Sequence, residues 1–215
     1  MKKFKKLFAI SFMLLTVMLF IQKSPFALIY PPGNAISQLN VTVIPEGFYN
    51  IGFNNLEIRD TAKAYLRDLS FPYAKIDSSS AVIDSSTFTG NFIFTNTSNG
   101  NYYLVIKHRN SIETWSASGV TILGDSVRSY NFTDSATKAF GNNMILVGSR
   151  YCIYGGDVNQ DGYVDASDAA LTENSAISFS FGYVNTDVTG DSFVDASDLA
   201  IIDNNTYNFV SVIRP

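Results

Sequence analysis

Two stretches of the chain place carboxylates at a spacing that suits a bound cation. Asp157–Leu171 reads DVNQDGYVDASDAAL and Asp187–Ile201 reads DVTGDSFVDASDLAI, and nine of these fifteen positions are identical at an offset of 30. Calcium is a hard ion that takes about six to eight oxygens. A twelve-residue loop supplies them from positions 1, 3 and 5, the carbonyl at 7, position 9 and a carboxylate at 12. In the first copy these are Asp157, Asn159, Asp161, Tyr163, Asp165 and Asp168; in the second they are Asp187, Thr189, Asp191, Phe193, Asp195 and Asp198. Carboxylates crowded this closely repel one another unless a cation neutralises them. The expected cofactor is therefore calcium, two ions per chain.

The two copies differ where affinity is set. Thr189 is a neutral, weaker donor than a carboxylate, and Ser192 stands where the first copy has Gly162, at a sharp turn that favours positive φ. The second site is expected to be the weaker. Val164 and Val194, at position 8, are expected to pair across the loops, with Leu171, Leu199, Ile201 and Ile202 packed beneath them. Phe179 and Phe209 also recur at the offset of 30, which suggests that each repeat closes a small apolar core of its own.

Other residues imitate chemistry without completing it. Gly124, Asp125 and Ser126 resemble the nucleophile block of a GDS-type esterase, but His108 is the only histidine and has no Asp three residues before it. One histidine and one cysteine do not make the usual zinc hydrolase clusters. Glu46, Glu57, Asp60 and Glu113 could by type serve glycoside hydrolysis, yet a β domain of roughly 120 residues seldom supplies the cleft. The expectation is a chain that is not an enzyme. Lys107–Trp115 is the densest polar and aromatic run outside the loops. Either Trp115, with Tyr102 and Tyr103, offers a sugar-stacking face, or Trp115 is core, His108 and Arg109 are surface and Glu113 pairs with a base. Cys152, alone among Tyr151, Ile153 and Tyr154, fits a buried small hydrophobe.

The elements that must position these residues follow from composition. Between Leu28 and Gly156 there are nine acids and nine bases, whereas Asp157–Asp203 holds ten acids and no base, which puts a boundary near Gly155 and Gly156. The first region consists of short runs rich in Val, Ile, Phe and Tyr, split by Asn, Gly, Ser and Pro. Leu39–Ile44 and Ala62–Arg67 alternate, and Phe92–Thr95 and Tyr102–His108 flank a polar turn as a hairpin would. A β-sandwich is expected. Lys2, Lys3, Lys5 and Lys6 precede an apolar stretch from Leu7 to Ile21, too short for a spanning helix and ordered like a secretory signal peptide. The organisation expected is a signal over 1–27, a β-sandwich over 28–153 and a calcium module over 154–215. Five of the 15 bases lie before Leu28, so the mature charge would move from −4 to −9, which excludes nucleic acid as a partner. No membrane association is expected after cleavage.

Two loop-helix units that lack a helix before the loop, with Asp168 and Asp198 at position 12, resemble the type I dockerin family. The resemblance implies a small α-helical pair of calcium loop-helix motifs that docks onto a cohesin-type domain, commonly in extracellular polysaccharide degradation. In that family the two residues before the last ligand help choose the partner, which implicates Ala166, Ser167, Ala196 and Ser197. Because the two pairs are identical, two-way docking is the corollary. Glu173 and Asn174, matched by Asp203 and Asn204, depart from the basic residues common there. Gly90, Phe92, Phe94, Asn99, Gly100, Tyr103 and Val105 resemble a pattern in prealbumin-like sandwich modules, and Lys107–Trp115 is similar to a segment of uncharacterised secreted bacterial proteins with dockerin-like tails. Taken together these imply a secreted or cell-surface, non-catalytic protein that tethers a β-sandwich (prealbumin/Ig-like) to a cohesin. The alternatives are an adhesion or matrix protein with purely structural calcium, and a small glycoside hydrolase or carbohydrate-binding module.

Overall fold

A computed structural model describes residues 36–215, and the signal peptide expected over 1–27 lies outside the described residues. Among the described residues twelve strands precede two α-helices. The strands are β1 (Ser37–Thr42), β2 (Tyr49–Asn50), β3 (Asn55–Leu56), β4 (Asp60–Arg67), β5 (Lys75–Ile83), β6 (Thr89–Phe94), β7 (Gly100–Lys107), β8 (Thr114–Trp115), β9 (Val120–Ile122), β10 (Val127–Asn131), β11 (Ile145–Val147) and β12 (Arg150–Cys152). The helices are α1 (Ala166–Ile177) and α2 (Ala196–Tyr207).

Alternation of buried and exposed side chains along β1, β4 and β6 gives each strand one apolar face. Those faces meet as the expected sandwich. One sheet runs β10-β1-β6, with β1 antiparallel to β6 and parallel to β10. The other runs β5-β4-β7-β8, with β9 also paired to β7. Leu39, Val41, Phe92 and Phe94 from the first sheet and Leu66, Leu104 and Ile106 from the second are buried in one core, which Cys152 and Ile153 join.

The expected hairpin does not form. The strand containing Phe92 pairs with β1 and the strand containing Tyr103 pairs with β4, so the polar turn between them crosses from one sheet to the other. Asp77 of β5 fixes that crossing by accepting hydrogen bonds from Asn96 N (2.8 Å) and Thr97 Oγ1 (3.0 Å).

Each helix starts at a capping box. Asp165 and Asp195 are the N-caps, and the N3 residues Asp168 and Asp198 return a carboxylate to the cap backbone. The apolar expectations for this half need correction. Val164 and Val194 do not pair with each other: Val164 N donates to Val210 O (2.9 Å) and Val194 N to Ser180 O (3.2 Å). Each loop is thus bonded to the segment that follows the other repeat's helix, with bridges Tyr163–Ser211 and Phe181–Phe193. Leu171 is exposed, and Phe179 and Phe209, at 86% and 90% exposure, close no core; both lie just beyond a helix in the left-handed region (φ 53°). Of the residues expected there, Val164 and Ile202 are buried in one cluster with Ile112, Val158, Val188 and Val210, and Ile201 packs against it, so the β region contributes Ile112. Residues 36–215 lie within one compact unit. Among the described residues no helix is long and apolar enough to cross a membrane.

Candidate calcium centre and docking face

In the first loop Asp157 is buried, its Oδ2 accepts from Gly162 N (3.2 Å), and its Oδ1 is buried without any hydrogen-bond partner. Burial, then repulsion from Asp168 and Asp161, pushes its carboxyl up to about 7. Asn159 Oδ1 accepts from Asp161 N and Asp161 Oδ1 from Tyr163 N, which folds the ligand positions inward along the loop. Asp168 is occupied by backbone donors: Oδ1 takes Val158 N and Asn159 N, and Oδ2 takes Asp165 N. Among the described residues no three acidic, His or Cys side chains converge closely enough to hold an ion. The donor set nevertheless fits calcium, since it is all oxygen and its first carboxylate presents an orphaned, buried lone pair that a hard cation would satisfy.

The second loop repeats this frame with one addition. Asp198 takes Val188 N, Thr189 N and Thr189 Oγ1 on Oδ1 and Asp195 N on Oδ2. Asp187, however, has partners on both oxygens: Gly190 N donates to Oδ1 (2.8 Å), and Arg109 Nη2 lies 3.4 Å from Oδ2. Burial raises the Asp187 carboxyl and Arg109 opposes the rise. Asn110 Nδ2 also donates to Asp187 O (2.7 Å). The turn penalty expected at Ser192 alone proves to be shared. Both loops take positive φ at positions 4 and 6, so Gln160 (61°) carries in the first loop what Ser192 (74°) carries in the second, while Gly162 and Gly190 relieve the other position in each. Gly190 is required for a further reason, since a Cβ there would lie 3.0 Å from Ile58 and 3.1 Å from Phe48.

The segment from His108 to Glu113 joins the β region to both loops. His108, expected at the surface, is buried, and the Arg109 side chain, also expected there, is only 8% exposed; both reach Asp60. Asp60 Oδ2 accepts from Arg109 Nε (2.7 Å) and contacts His108 Nε2 (3.1 Å), and its Oδ1 accepts from Tyr183 OH (2.7 Å). Burial alone would raise the Asp60 carboxyl, but His108, Tyr183 and Arg109 together hold it well below the usual carboxylate range. Gln160 Nε2 reaches Ser111 O, and Gly155 N and Asn205 Nδ2 both donate to Oε2 of the half-buried Glu46. Sequence reasoning missed Glu46, Asp60, Asn110 and Asn205 as contacts of the module. The polar density of Lys107–Trp115 was a signal for Asn110 alone.

His108 Nδ1 also meets Ser111 Oγ at 3.1 Å, so Ser111, His108 and Asp60 are linked in the order of a hydrolase triad. The serine hydroxyl is fully enclosed, however, and no substrate carbonyl could reach it. Ser126 Oγ donates to Leu123 O instead of to a base. Trp115 is core at 3% exposure, with its Nε1 on Glu113 Oε1, and Glu113 pairs with Arg214 (3.2 Å) and Lys107 (3.8 Å). Cys152 is buried, and burial raises its thiol.

Ala166, Ser167, Ala196 and Ser197 are all exposed at the starts of α1 and α2, clear of the sandwich. Ser167 Oγ and Ser197 Oγ donate to the N-cap carboxylates Asp165 Oδ1 (2.7 Å) and Asp195 Oδ1 (2.6 Å), which fixes both hydroxyls in equivalent positions.

Residues 155–206 match the model of the Dockerin type I domain. That match makes the C-terminal part of the chain a dockerin module, of a type that binds cohesin and typically binds calcium, following a β-rich, sandwich-like part. No curated protein matches the chain. Two solved structures from Acetivibrio cellulolyticus are similar to it, a C-terminal and an N-terminal interface mutant of a type II cohesin–X-dockerin complex. They share 13% and 14% identity with TM-scores of 0.45 and 0.41, cover 80% and 81% of this chain, and are themselves covered to 99% and 97%.

Proposed function

We propose that this chain is a secreted, non-catalytic adaptor that loads two calcium ions in its dockerin module and docks a β-sandwich onto a cohesin-bearing partner in extracellular polysaccharide degradation. One observation carries this reading: Ala166–Ser167 and Ala196–Ser197 are both free at the surface, whereas the opposite sides of the loops are packed against the β region. A calcium module that served only to stiffen the chain would have no need to keep two equivalent helix starts exposed. The carboxylates suited by type to glycoside hydrolysis are committed elsewhere, Glu46 to Gly155 and Asn205, Asp60 to Arg109, Glu57 to Asn50 and Glu113 to Trp115. That supports a non-catalytic role.

The test is binding of the full chain to a panel of type I cohesins, using Ser167→Arg, Ser197→Arg and the double variant. Because the two faces are equivalent, each single variant should retain binding within about threefold while the double variant loses it. Undiminished binding by the double variant, or no binding to any cohesin in calcium, would overturn the docking reading.

A further inference from the structure

The two loops differ in one electrostatic feature that their sequences conceal. Among the described residues no Lys, Arg or His forms an ion pair with Asp157, Asp161, Asp165 or Asp168, whereas Asp187 at the head of the second loop pairs with Arg109. This guanidinium is built in on every side. Its Nε is held by Asp60 Oδ2 and its Nη1 by Val184 O. Its plane lies against the rings of Tyr183 (4.6 Å) and Phe48 (5.2 Å), and only 8% of the side chain is exposed.

Resting on the calcium reading above, we propose that Arg109 is an internal counter-cation for the second loop: it keeps that loop in its binding conformation without metal and lowers its affinity for calcium. A fixed positive charge on one oxygen of the first ligand relieves carboxylate repulsion in the empty loop and opposes arrival of a divalent ion at the other oxygen. The partial burial of Arg109 limits screening by salt. The first loop has only the orphaned Oδ1 of Asp157 and no such compensation, so it gains most from the ion. The loops therefore load in order, first then second. The helix start at Ala196–Ser197 stays formed at calcium concentrations where the one at Ala166–Ser167 does not.

The experiment is calcium titration of the full chain followed residue by residue by NMR, for the wild type, Arg109→Gln and Arg109→Lys. In the wild type the first loop should load at a calcium concentration about tenfold or more below the second. Arg109→Gln should tighten the second loop by about tenfold with the first within about twofold, and Arg109→Lys should leave the order of loading intact. Equal loading in the wild type, or an unchanged second loop in Arg109→Gln, would overturn the proposal while leaving the calcium reading in place. Calcium at neither loop in any variant would overturn both. Should Arg109→Gln fail to fold, amide exchange in the calcium-free wild type decides. Greater protection of Val188 and Gly190 than of Val158 and Gly162 is expected, and equal or reversed protection would contradict it.

Discussion

Asp157 carries the sharpest residue-level consequence. Its carboxyl lies at about 7 in the folded, calcium-free chain against a usual 3.8, so folding takes up a proton between those values. That contribution is complete below about pH 4 and is lost as the pH rises through 7. Calcium-free protein should accordingly be more stable at pH 5 than at pH 7.5, by on the order of 1–2 kcal/mol once the shift is discounted for solvent screening. Saturating calcium should remove or reverse the difference. Thermal melts at both pH values, with calcium and with chelator, check this, and a calcium-free melting temperature that climbs from pH 5 to pH 7.5 would contradict it. The loop carboxylates were legible because a fixed spacing, repeated at an offset of 30, has few other uses. The partners of Asp60 were not, because nothing in a linear pattern places Tyr183 beside a residue 123 positions earlier.

At the scale of elements, the loops and helices followed their sequence closely. Asp165 and Asp195 both cap a helix and stand at a ligand position, so one motif fixes where the helix begins and where the ion would sit. The apolar residues around them were legible in type but not in partner. Position 8 of each loop bonds to the tail of the other repeat, a reciprocal exchange that two similar motifs cannot reveal. The polar turn before Gly100 was misread for a related reason, since a two-stranded hairpin and a crossing between sheets have the same local chemistry. Replacing Ser192 by Gly should relieve its left-handed backbone and stabilise the chain by about 0.5–1 kcal/mol, measured by denaturant unfolding with chelator present. Ser192→Ala should show no such gain. A loss of stability in Ser192→Gly would mean that the serine side chain contributes more than its backbone costs.

For the whole molecule, the shift in charge at Gly156 marks a change of chemistry within one compact unit. The β region and the loops share a core through Ile112, which is buried among Val158, Val164, Val188, Ile202 and Val210. Ile112→Ala should cost about 2–5 kcal/mol, and it should loosen both loops together even though it lies outside them in sequence. Urea unfolding followed by far-ultraviolet circular dichroism would show this, and a cost below about 1 kcal/mol would mean that the module keeps its core without the β region. The sandwich was legible from alternation along its strands. Its attachment to the module was not, because burial of His108, of Asn110 and of the Arg109 side chain depends on surfaces brought together only by the fold.

The most direct test of the central claim is calorimetric titration of the full chain with type I cohesins, in calcium and again in chelator. Docking through a calcium-organised module predicts saturable binding of one cohesin per chain in calcium and loss of at least about a hundredfold in affinity with chelator. Binding of equal strength in both conditions would contradict calcium as the organiser of the docking face, and no binding in either would contradict docking itself.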